Sequence, residues 1–353
     1  MNGEPRTVNL AACPLPLSDY HEIVLAHGSG GKLSQELFRK IVLPQFHNAL
    51  LNPLHDGAIF PLNGSRIAFS TDSFVITPIF FPGGDIGKLA IYGTVNDLAM
   101  CGARPLYFSV SFILEEGMAI QDFHRVVSSM REAAAEAGVT LVTGDTKVVD
   151  RGKADKIFIN TSGLGLVSPG VNIDPARAQP GDRIIVSGPI AVHGIAIMSV
   201  REGLEFETEI ASDTAPLNGL VEAILSVTND VHVLRDPTRG GLSSALNEIA
   251  QNAGVGVHLH EARIPISEDV KGACEILGLD PLYVANEGKL LVIASAVDTD
   301  RILSAIRAHE LGRSAAVIGE ITPDHPGIVT MKTRVGGTRV VDMLSGEQLP
   351  RIC

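Results

Sequence analysis

Four aspartates in the first half of the chain stand beside small or polar neighbours. They are Asp56, Asp72, Asp97 and Asp145. A lone aspartate of this kind usually caps a helix or starts a turn. Four together favour a magnesium and phosphate site, because Mg2+ takes oxygen ligands that separated segments can supply. Asp97 is the most informative, since a charge inside an otherwise apolar helix costs free energy unless it is paired or binds a metal.

A glycine-rich segment near the N-terminus precedes a predicted helix. Its residues are His27, Gly28, Ser29, Gly30, Gly31 and Lys32. Clustered glycines let backbone N–H groups approach an anion, and the helix dipole favours negative charge at that end. The segment is not a P-loop, because GxxxxGK[ST] requires other residues at the positions of Ala26 and Leu33. A phosphate-binding loop and a flexible arm with a helix start both remain open here.

The second half of the chain contains a similar helix start with a carboxylate beside it. Residues 235–242 read Arg-Asp-Pro-Thr-Arg-Gly-Gly-Leu and follow a short predicted strand. Asp236 is therefore a further candidate ligand for Mg2+. The alternative is an aspartate that starts a proline turn before an N-capping Thr238.

The chain ends on a thiol, Cys353. It is not a CaaX prenylation signal, which needs three residues after the cysteine. An exposed free thiol is a chemical liability, so a use for it is expected, although a frayed end is the alternative. Ten extended residues span at most about 33 Å, which is enough to carry a thiol from a partner's site into the protein's own cleft. This reach is typical of a carrier.

The elements that must position these residues alternate between helix and strand in both halves, which predicts an α/β (α+β layered) protein. We predict an arm at residues 1–50, a first domain at 51–168, a second domain at 169–342 and a mobile tail at 343–353. The clearest elements are a strand that ends at Asp72, helices at Asp85–Cys101, Ile120–Ala137 and Gly241–Ala253, and a strand at Thr140–Thr143.

Composition and net charge indicate which classes of partner and which compartment to expect. The chain has 28 basic and 40 acidic residues, and the net charge of −12 argues against nucleic acid and against anionic membranes. Its four cysteines form neither a CxxC pair nor a zinc spacing. The N-terminus lacks the pattern of a signal peptide, and no run of about 18 apolar residues occurs. We therefore expect a cytoplasmic protein.

Several motifs occur together in one known family. They are His27 to Lys32, Ser70-Thr-Asp-Ser-Phe74, Phe81 to Lys88, Gly93-Thr-Val-Asn-Asp-Leu98, Gly144-Asp-Thr-Lys-Val148, Asp236 to Gly241, Ala285-Asn-Glu-Gly-Lys289 and the terminal Pro350-Arg-Ile-Cys353. From about residue 25 to the end, the chain resembles the HypE family of hydrogenase maturation proteins. The terminal motif is specific, whereas the aspartate motifs alone fit the wider superfamily of aminoimidazole ribonucleotide synthetase, selenophosphate synthetase and thiamin-phosphate kinase.

The resemblance implies a two-domain, aminoimidazole ribonucleotide synthetase-like fold that binds ATP and forms a homodimer through its first domain. It also implies that an S-carboxamide on Cys353 is dehydrated to an S-cyanide, the source of the cyanide ligands of [NiFe]-hydrogenase iron. The implied partners are a HypF-type carbamoyltransferase, which loads the carboxamide from carbamoyl phosphate, and a HypC–HypD complex, which takes the cyanide.

The resemblance further implies roles for individual residues. The segment from His27 to Lys32 covers the ATP phosphates, and the nucleotide also contacts Asn96, Asp145 and Thr146. The residues that hold Mg2+ are Asp56, Asp72, Asp97 and Asp236. Glu287 is the candidate base, and Lys147 either partners it or stabilises charge on the amide oxygen. Without the resemblance, these two would be a loop carboxylate and a surface lysine. No role follows for His193, because the family is expected to have an acidic residue where Val192 stands.

Two other functions remain as alternatives. The first is a small-molecule ATP enzyme such as a selenophosphate synthetase, which should have a reactive cysteine near the glycine-rich segment. Cys13 lies 27 − 13 = 14 residues before His27, which is a poor fit. The second is a non-catalytic carrier that only presents Cys353 to partners. ATPase activity that depends on a carbamoylated tail would argue against both.

Overall fold

A computed structural model describes residues 22–46, 48–203, 210–346 and 351–353, and the structural statements below concern these residues. The helices are α1 (Lys32–Leu37), α2 (Leu43–Phe46), α3 (Ile86–Met100), α4 (Ile120–Ala137), α5 (Val192–Arg201), α6 (Asn218–Val227), α7 (Gly241–Ala253), α8 (Glu268–Leu277) and α9 (Thr299–Ala308). The strands are β1 (Ala58–Leu62), β2 (Ser65–Phe74), β3 (Phe80–Phe81), β4 (Gly84–Asp85), β5 (Ala103–Glu115), β6 (Thr140–Val149), β7 (Ile157–Val167), β8 (Arg183–Val186), β9 (Val231–Arg235), β10 (Gly256–His260), β11 (Leu291–Ala294), β12 (Ala316–Thr322), β13 (Val329–Lys332) and β14 (Thr338–Val340).

The first sheet has the strand order β1-β2-β7-β5-β6. Its neighbours are antiparallel except β5 and β6, which run parallel. Helix α3 packs on β2, β5 and β7, and α4 packs on α3. Elsewhere on this sheet a row of large apolar side chains is exposed. Its members are cross-strand neighbours, and each has 40% or more of its surface accessible: Phe69, Leu164 and Tyr107.

The second sheet has the order β14-β13-β10-β12-β8-β11-β9. Strand β11 is a short apolar run that is buried throughout, as expected for a strand covered on both faces. A hydrophobic core joins the two domains: it contains Leu98 of α3, Leu217 before α6, Ala285, and the terminal residues Ile352 and Cys353. The end of the chain is therefore packed between the domains.

Local sequence explains the best-defined helices. Asp85 caps α3, because its carboxylate accepts the backbone N–H groups of Gly87 and Lys88. Helices α4 and α7 end at left-handed Gly138 and Gly254, which are common helix terminators. The predicted bounds of α4 and α7 agree with the structure. None of the described helices is long and apolar enough to cross a membrane.

The predicted α/β fold of two layered domains is confirmed, but two predicted strand ends are wrong. Strand β2 continues past Asp72 to Phe74, because residues 72–74 keep their ladder with β7. Strand β6 continues past Thr143 to Val149, because it pairs with β5 over that whole length. Asp72 and Asp145 therefore lie within strands. Strands β1, β3, β4 and β14 and helices α2 and α8 were not predicted.

Candidate active site

Three of the four predicted metal ligands converge. One carboxylate oxygen each from Asp56, Asp97 and Asp236 lies within 4.8 Å of the other two. Asp56 precedes β1, Asp97 projects from α3, and Asp236 follows β9, so both domains contribute. Sheet edges and a helix thus bring together carboxylates that are far apart in sequence.

The carboxylate cluster of Asp56, Asp97 and Asp236 carries more negative charge than its surroundings balance. Burial raises the pKa of Asp97 well above its usual value, and Asp236 raises it further. Burial and the charge of Asp56 raise the pKa of Asp236 to about 7. Burial also opposes ionisation of Asp56, but the Arg235 guanidinium at 2.5 Å lowers its pKa overall. Oxygen ligands with uncompensated charge suit a hard divalent cation such as Mg2+.

Asp72, the fourth predicted ligand, is not one of the three converging carboxylates. Its Oδ1 accepts the N–H of Ser73 at 2.7 Å, and burial raises its pKa. Its charge nevertheless acts on Asp97 and on both Glu287 and Cys353. Asp72 therefore contributes to the electrostatics of the cluster, of Glu287 and of the terminal thiol.

The terminal thiol is buried, with 7% of the Cys353 surface exposed. A main-chain oxygen of Cys353 accepts the N–H of Val75 at 3.1 Å. Burial raises the pKa of the thiol, the carboxylates of Glu287 and Asp72 raise it further, and the Arg239 guanidinium opposes them. This environment favours the neutral form of the Cys353 thiol.

Glu287 has the environment of a base. It is 4% exposed, and its Oε1 has no hydrogen-bond partner among the described residues. Burial raises the pKa of Glu287 well above its usual value, with further contributions from Asp236 and Asp213. A carboxylate whose pKa lies closer to neutral accepts protons more readily. Glu287 is therefore a buried carboxylate with one unpartnered oxygen among the described residues, and its charge acts on the Cys353 thiol.

Arg239 is a functional candidate that the sequence reasoning missed. It is the cation whose charge acts on Cys353, and it also faces Glu287 and Asp72. Its guanidinium donates to the carbonyl oxygen of Gly28 at 3.3 Å. A Cβ atom on Gly30 would lie 2.7 Å from the Cβ of Arg239. The glycine-rich segment therefore packs directly on Arg239, and the arginine in the Asp236 motif was the available signal.

The glycine-rich segment is partly engaged by the protein itself. The N–H of Gly30 donates to Ser34 Oγ at 3.0 Å, and the N–H of Lys32 donates to the carbonyl of Leu344 at 2.9 Å. The Lys32 ammonium pairs with Asp342 at 2.6 Å. The segment is thereby tied to the chain that leads into the tail, and its predicted contact with phosphates stays a prediction.

The other predicted nucleotide ligands lie in two places. Asn96 is buried in α3, where its amide donates to the carbonyls of Ala215 and Glu287 and accepts the N–H of Leu217. Asn96 therefore connects α3 to the segment that carries Glu287. Asp145, Thr146 and Lys147 are exposed on the edge strand β6, and the Lys147 ammonium pairs with Asp145 at 2.7 Å.

Comparison with known proteins agrees with this geometry. Residues 54–167 match the family model for the AIR synthase related protein, N-terminal domain, and residues 179–332 match that for the C-terminal domain. The chain is 54% identical over 332 residues to carbamoyl dehydratase HypE of Cupriavidus necator, which covers 94% of this chain and 95% of that protein.

Two solved structures are similar over most of their length. A structure of hydrogenase maturation protein HypE in complex with ATP is 48% identical, with a TM-score of 0.80, and covers 94% of this chain and 100% of that one. A HypE–HypF complex is 46% identical, with a TM-score of 0.83, and covers 87% of this chain and 99% of that one.

Fold and site thus define an enzyme of the AIR synthase related family. Within that family, the chain belongs to the HypE carbamoyl dehydratases. The predictions of family, fold class and enzyme class are confirmed.

Proposed function

We propose that this protein binds Mg·ATP between its two domains and dehydrates an S-carboxamide on its own Cys353 to an S-cyanide, which supplies cyanide to [NiFe]-hydrogenase iron. The observation that carries the proposal is the position of the thiol. Cys353 is buried at the end of the chain, within the electrostatic reach of Glu287, Arg239 and Asp72. A non-catalytic carrier has no need of a buried carboxylate with a raised pKa beside its thiol.

The carboxylate cluster fits a magnesium ion. Asp56, Asp97 and Asp236 would hold it, and Asp72 faces the same space from β2. When bound, Mg2+ supplies neutralisation of the triphosphate charge. The ATP phosphates would lie between this cluster and the glycine-rich segment, whose Gly28 contacts Arg239.

The chain's residues account for the proton and charge changes of the reaction. Hydroxide is a poor leaving group, so the carboxamide oxygen takes the γ-phosphoryl group of ATP and later leaves as phosphate. The nitrogen loses one proton as the oxygen is phosphorylated and a second as the C–O bond breaks and the nitrile forms. Glu287 Oε1 would accept the first of these protons, and the departing phosphate takes up the second. The Arg239 guanidinium would offset the negative charge that builds up on the oxygen.

Loading requires partners. A HypF-type carbamoyltransferase would place the carboxamide on Cys353, and a HypC–HypD complex would take the cyanide; the similar HypE–HypF complex supports the first of these. Because Cys353 is buried here, the tail must leave its position to be loaded. We place the whole sequence in the cytoplasm, where the chain would meet these partners.

A homodimer is the proposed assembly. The exposed apolar row of Phe69, Leu164 and Tyr107 runs across three strands of the first sheet. Strand β6 pairs on one side only and also exposes Val142 and Val148. An apolar sheet surface next to an open edge is a typical protein interface, and a second copy of the first domain fits it.

Glu287→Gln tests the proposed chemistry. The variant keeps the size of the side chain but cannot accept a proton, so carboxamide loading and ATP affinity should match the native protein while cyanide formation falls at least about a hundredfold. Glu136→Gln is the matched control, because that carboxylate bonds to Tyr92 and has no assigned role. Dehydration by Glu287→Gln at the native rate would exclude Glu287 as the base.

A further inference from the structure

The last three residues of the chain are each held through a main-chain oxygen. The Arg201 guanidinium donates to the carbonyl of Arg351, and the His193 ring donates to the carbonyl of Ile352 at 2.8 Å. The Val75 N–H donates to the main-chain oxygen of the terminal Cys353 at 3.1 Å. We call the donors Val75, His193 and Arg201 the tail seat. They come from both domains, so the terminal residues are aligned between them.

The hydrogen bonds of His193 fix its tautomer. A carbonyl oxygen only accepts, so Nε2 must carry the proton that bonds to Ile352. Nδ1 is then an acceptor and receives the hydroxyl proton of Ser212 at 2.8 Å. The Ser212 oxygen lies 2.6 Å from the hydroxyl of Thr214, which therefore donates to it. Burial lowers the pKa of His193, which is fully enclosed, and this favours the neutral ring.

The same short segment also orients the candidate base. Asp213, between Ser212 and Thr214, accepts the backbone N–H of Glu287 at 3.1 Å. Ser212 is anchored in turn, because its N–H donates to the carbonyl of Pro82 in the first domain at 2.8 Å. One anchored segment thus sets the position of His193, which grips the tail, and of Glu287, which faces the thiol.

We propose that His193 is a positioning residue that fixes the register of the C-terminal tail, so that Cys353 faces Glu287, and that Ser212 maintains the donor tautomer it needs. His193 does not touch the thiol, and it acts through the carbonyl of Ile352. The role in dehydration rests on the proposed function, whereas the grip on the tail does not.

Alkylation of Cys353 by iodoacetamide in the full chain tests the grip without ATP or any partner. His193→Ala should raise the alkylation rate of Cys353 roughly tenfold, because losing a buried hydrogen bond leaves a carbonyl unsatisfied and increases the population of the released tail. His193→Gln should stay within about threefold of the native rate, since its amide still offers an N–H donor to the same carbonyl. A Cys353→Ser chain gives the background from the other cysteines.

An unchanged rate in His193→Ala would overturn the proposal, and so would equal acceleration in Ala and Gln, which would assign the effect to packing. Ser212→Ala is the second variant if His193→Ala fails to fold, and we expect acceleration of about threefold because the donor tautomer is no longer enforced. An unchanged rate there would also overturn it.

Dehydration supplies a second readout. The His193→Ala chain should be loaded with the carboxamide at least as fast as the native protein. Once carbamoylated, it should dehydrate more slowly, and His193→Gln should restore the rate. If the alkylation pattern holds while even the native chain does not dehydrate its tail, the tail seat stands and the proposed function fails.

Discussion

Asp97→Asn should change two properties of the protein in opposite directions. Without Mg2+, three carboxylates crowd together with one arginine, Arg235, paired to one of them. Removing the charge of Asp97 relieves that crowding, so the metal-free chain should become more stable. With Mg2+ and ATP present, the same change removes one anionic ligand, so binding should weaken.

The geometry sets the size of the stability gain. Two unit charges 4.8 Å apart repel by about 3 kcal/mol at an effective dielectric constant of about 20. Asp97 has two such neighbours, but partial protonation relieves part of the repulsion, so we expect a gain of about 1 to 3 kcal/mol. The amide that replaces the carboxylate also keeps a partner. The Ser70 hydroxyl lies 2.7 Å from the Asp97 carboxylate and 2.8 Å from the carbonyl oxygen of Asp56. In the variant it can donate its one proton to Asp56 and accept the new amide N–H.

The assay is thermal unfolding in EDTA at pH 8, where the carboxylates are most ionised, combined with isothermal titration of ATP in Mg2+. Asp97→Asn should melt a few degrees above the native chain and bind Mg·ATP at least roughly tenfold more weakly. Asp85→Ala is the matched control on the same helix. Its carboxylate caps α3 and accepts the Ser129 hydroxyl, so its loss should cost about 1 kcal/mol or more with or without metal.

Destabilisation of Asp97→Asn in EDTA together with unchanged Mg·ATP affinity would refute this reasoning. It would make Asp97 a structural carboxylate held by Ser70, and the cluster would need another explanation.

Three further predictions concern the loop, the assembly and Lys147. Gly30→Ala should weaken ATP binding several-fold by calorimetry, because φ of +74° disfavours alanine and the new Cβ would meet Arg239. An unchanged affinity would show that the glycine-rich segment does not bind the nucleotide. Leu164→Asp should convert the proposed dimer into a monomer by light scattering, since it places a charge in the exposed apolar row, and a dimer that persists in this variant would locate the interface elsewhere. Lys147→Ala should keep ATP affinity and lose dehydration, whereas lost affinity would make it a phosphate ligand.

Sequence patterns were sufficient where the signal is local. The amphipathic repeat and terminal glycine of α4 and α7 predicted both helices, and the charge of Asp97 inside an apolar helix marked the carboxylate cluster. Helix α8 was missed because Gly272 interrupts a short, weakly apolar segment. The strand ends were missed because the ladder between strands, and not the residue types near positions 72 and 143, decides where a strand stops.

The tail seat had no local signal at all. Val75, His193 and Arg201 lie more than a hundred residues before the main-chain oxygens that they hold. No role was predicted for His193, because Val192 stands where the family is expected to have an acidic residue. The ring of His193 nevertheless bonds to Ser212 and Ile352, and Val192 takes no part in these bonds. Arg239 was overlooked for a related reason, because only the folded chain brings it to Cys353.

The most direct test of the proposed function is the intact mass of the chain during the reaction. On incubation with a HypF-type carbamoyltransferase, carbamoyl phosphate, Mg2+ and ATP, the mass should rise by about 43 Da as CONH2 replaces hydrogen and then fall by about 18 Da as the carboxamide becomes a nitrile. Both changes should map to Cys353 and be absent from Cys353→Ser. A carboxamide that persists in the presence of Mg·ATP, or a modification at another residue, would contradict the proposed function.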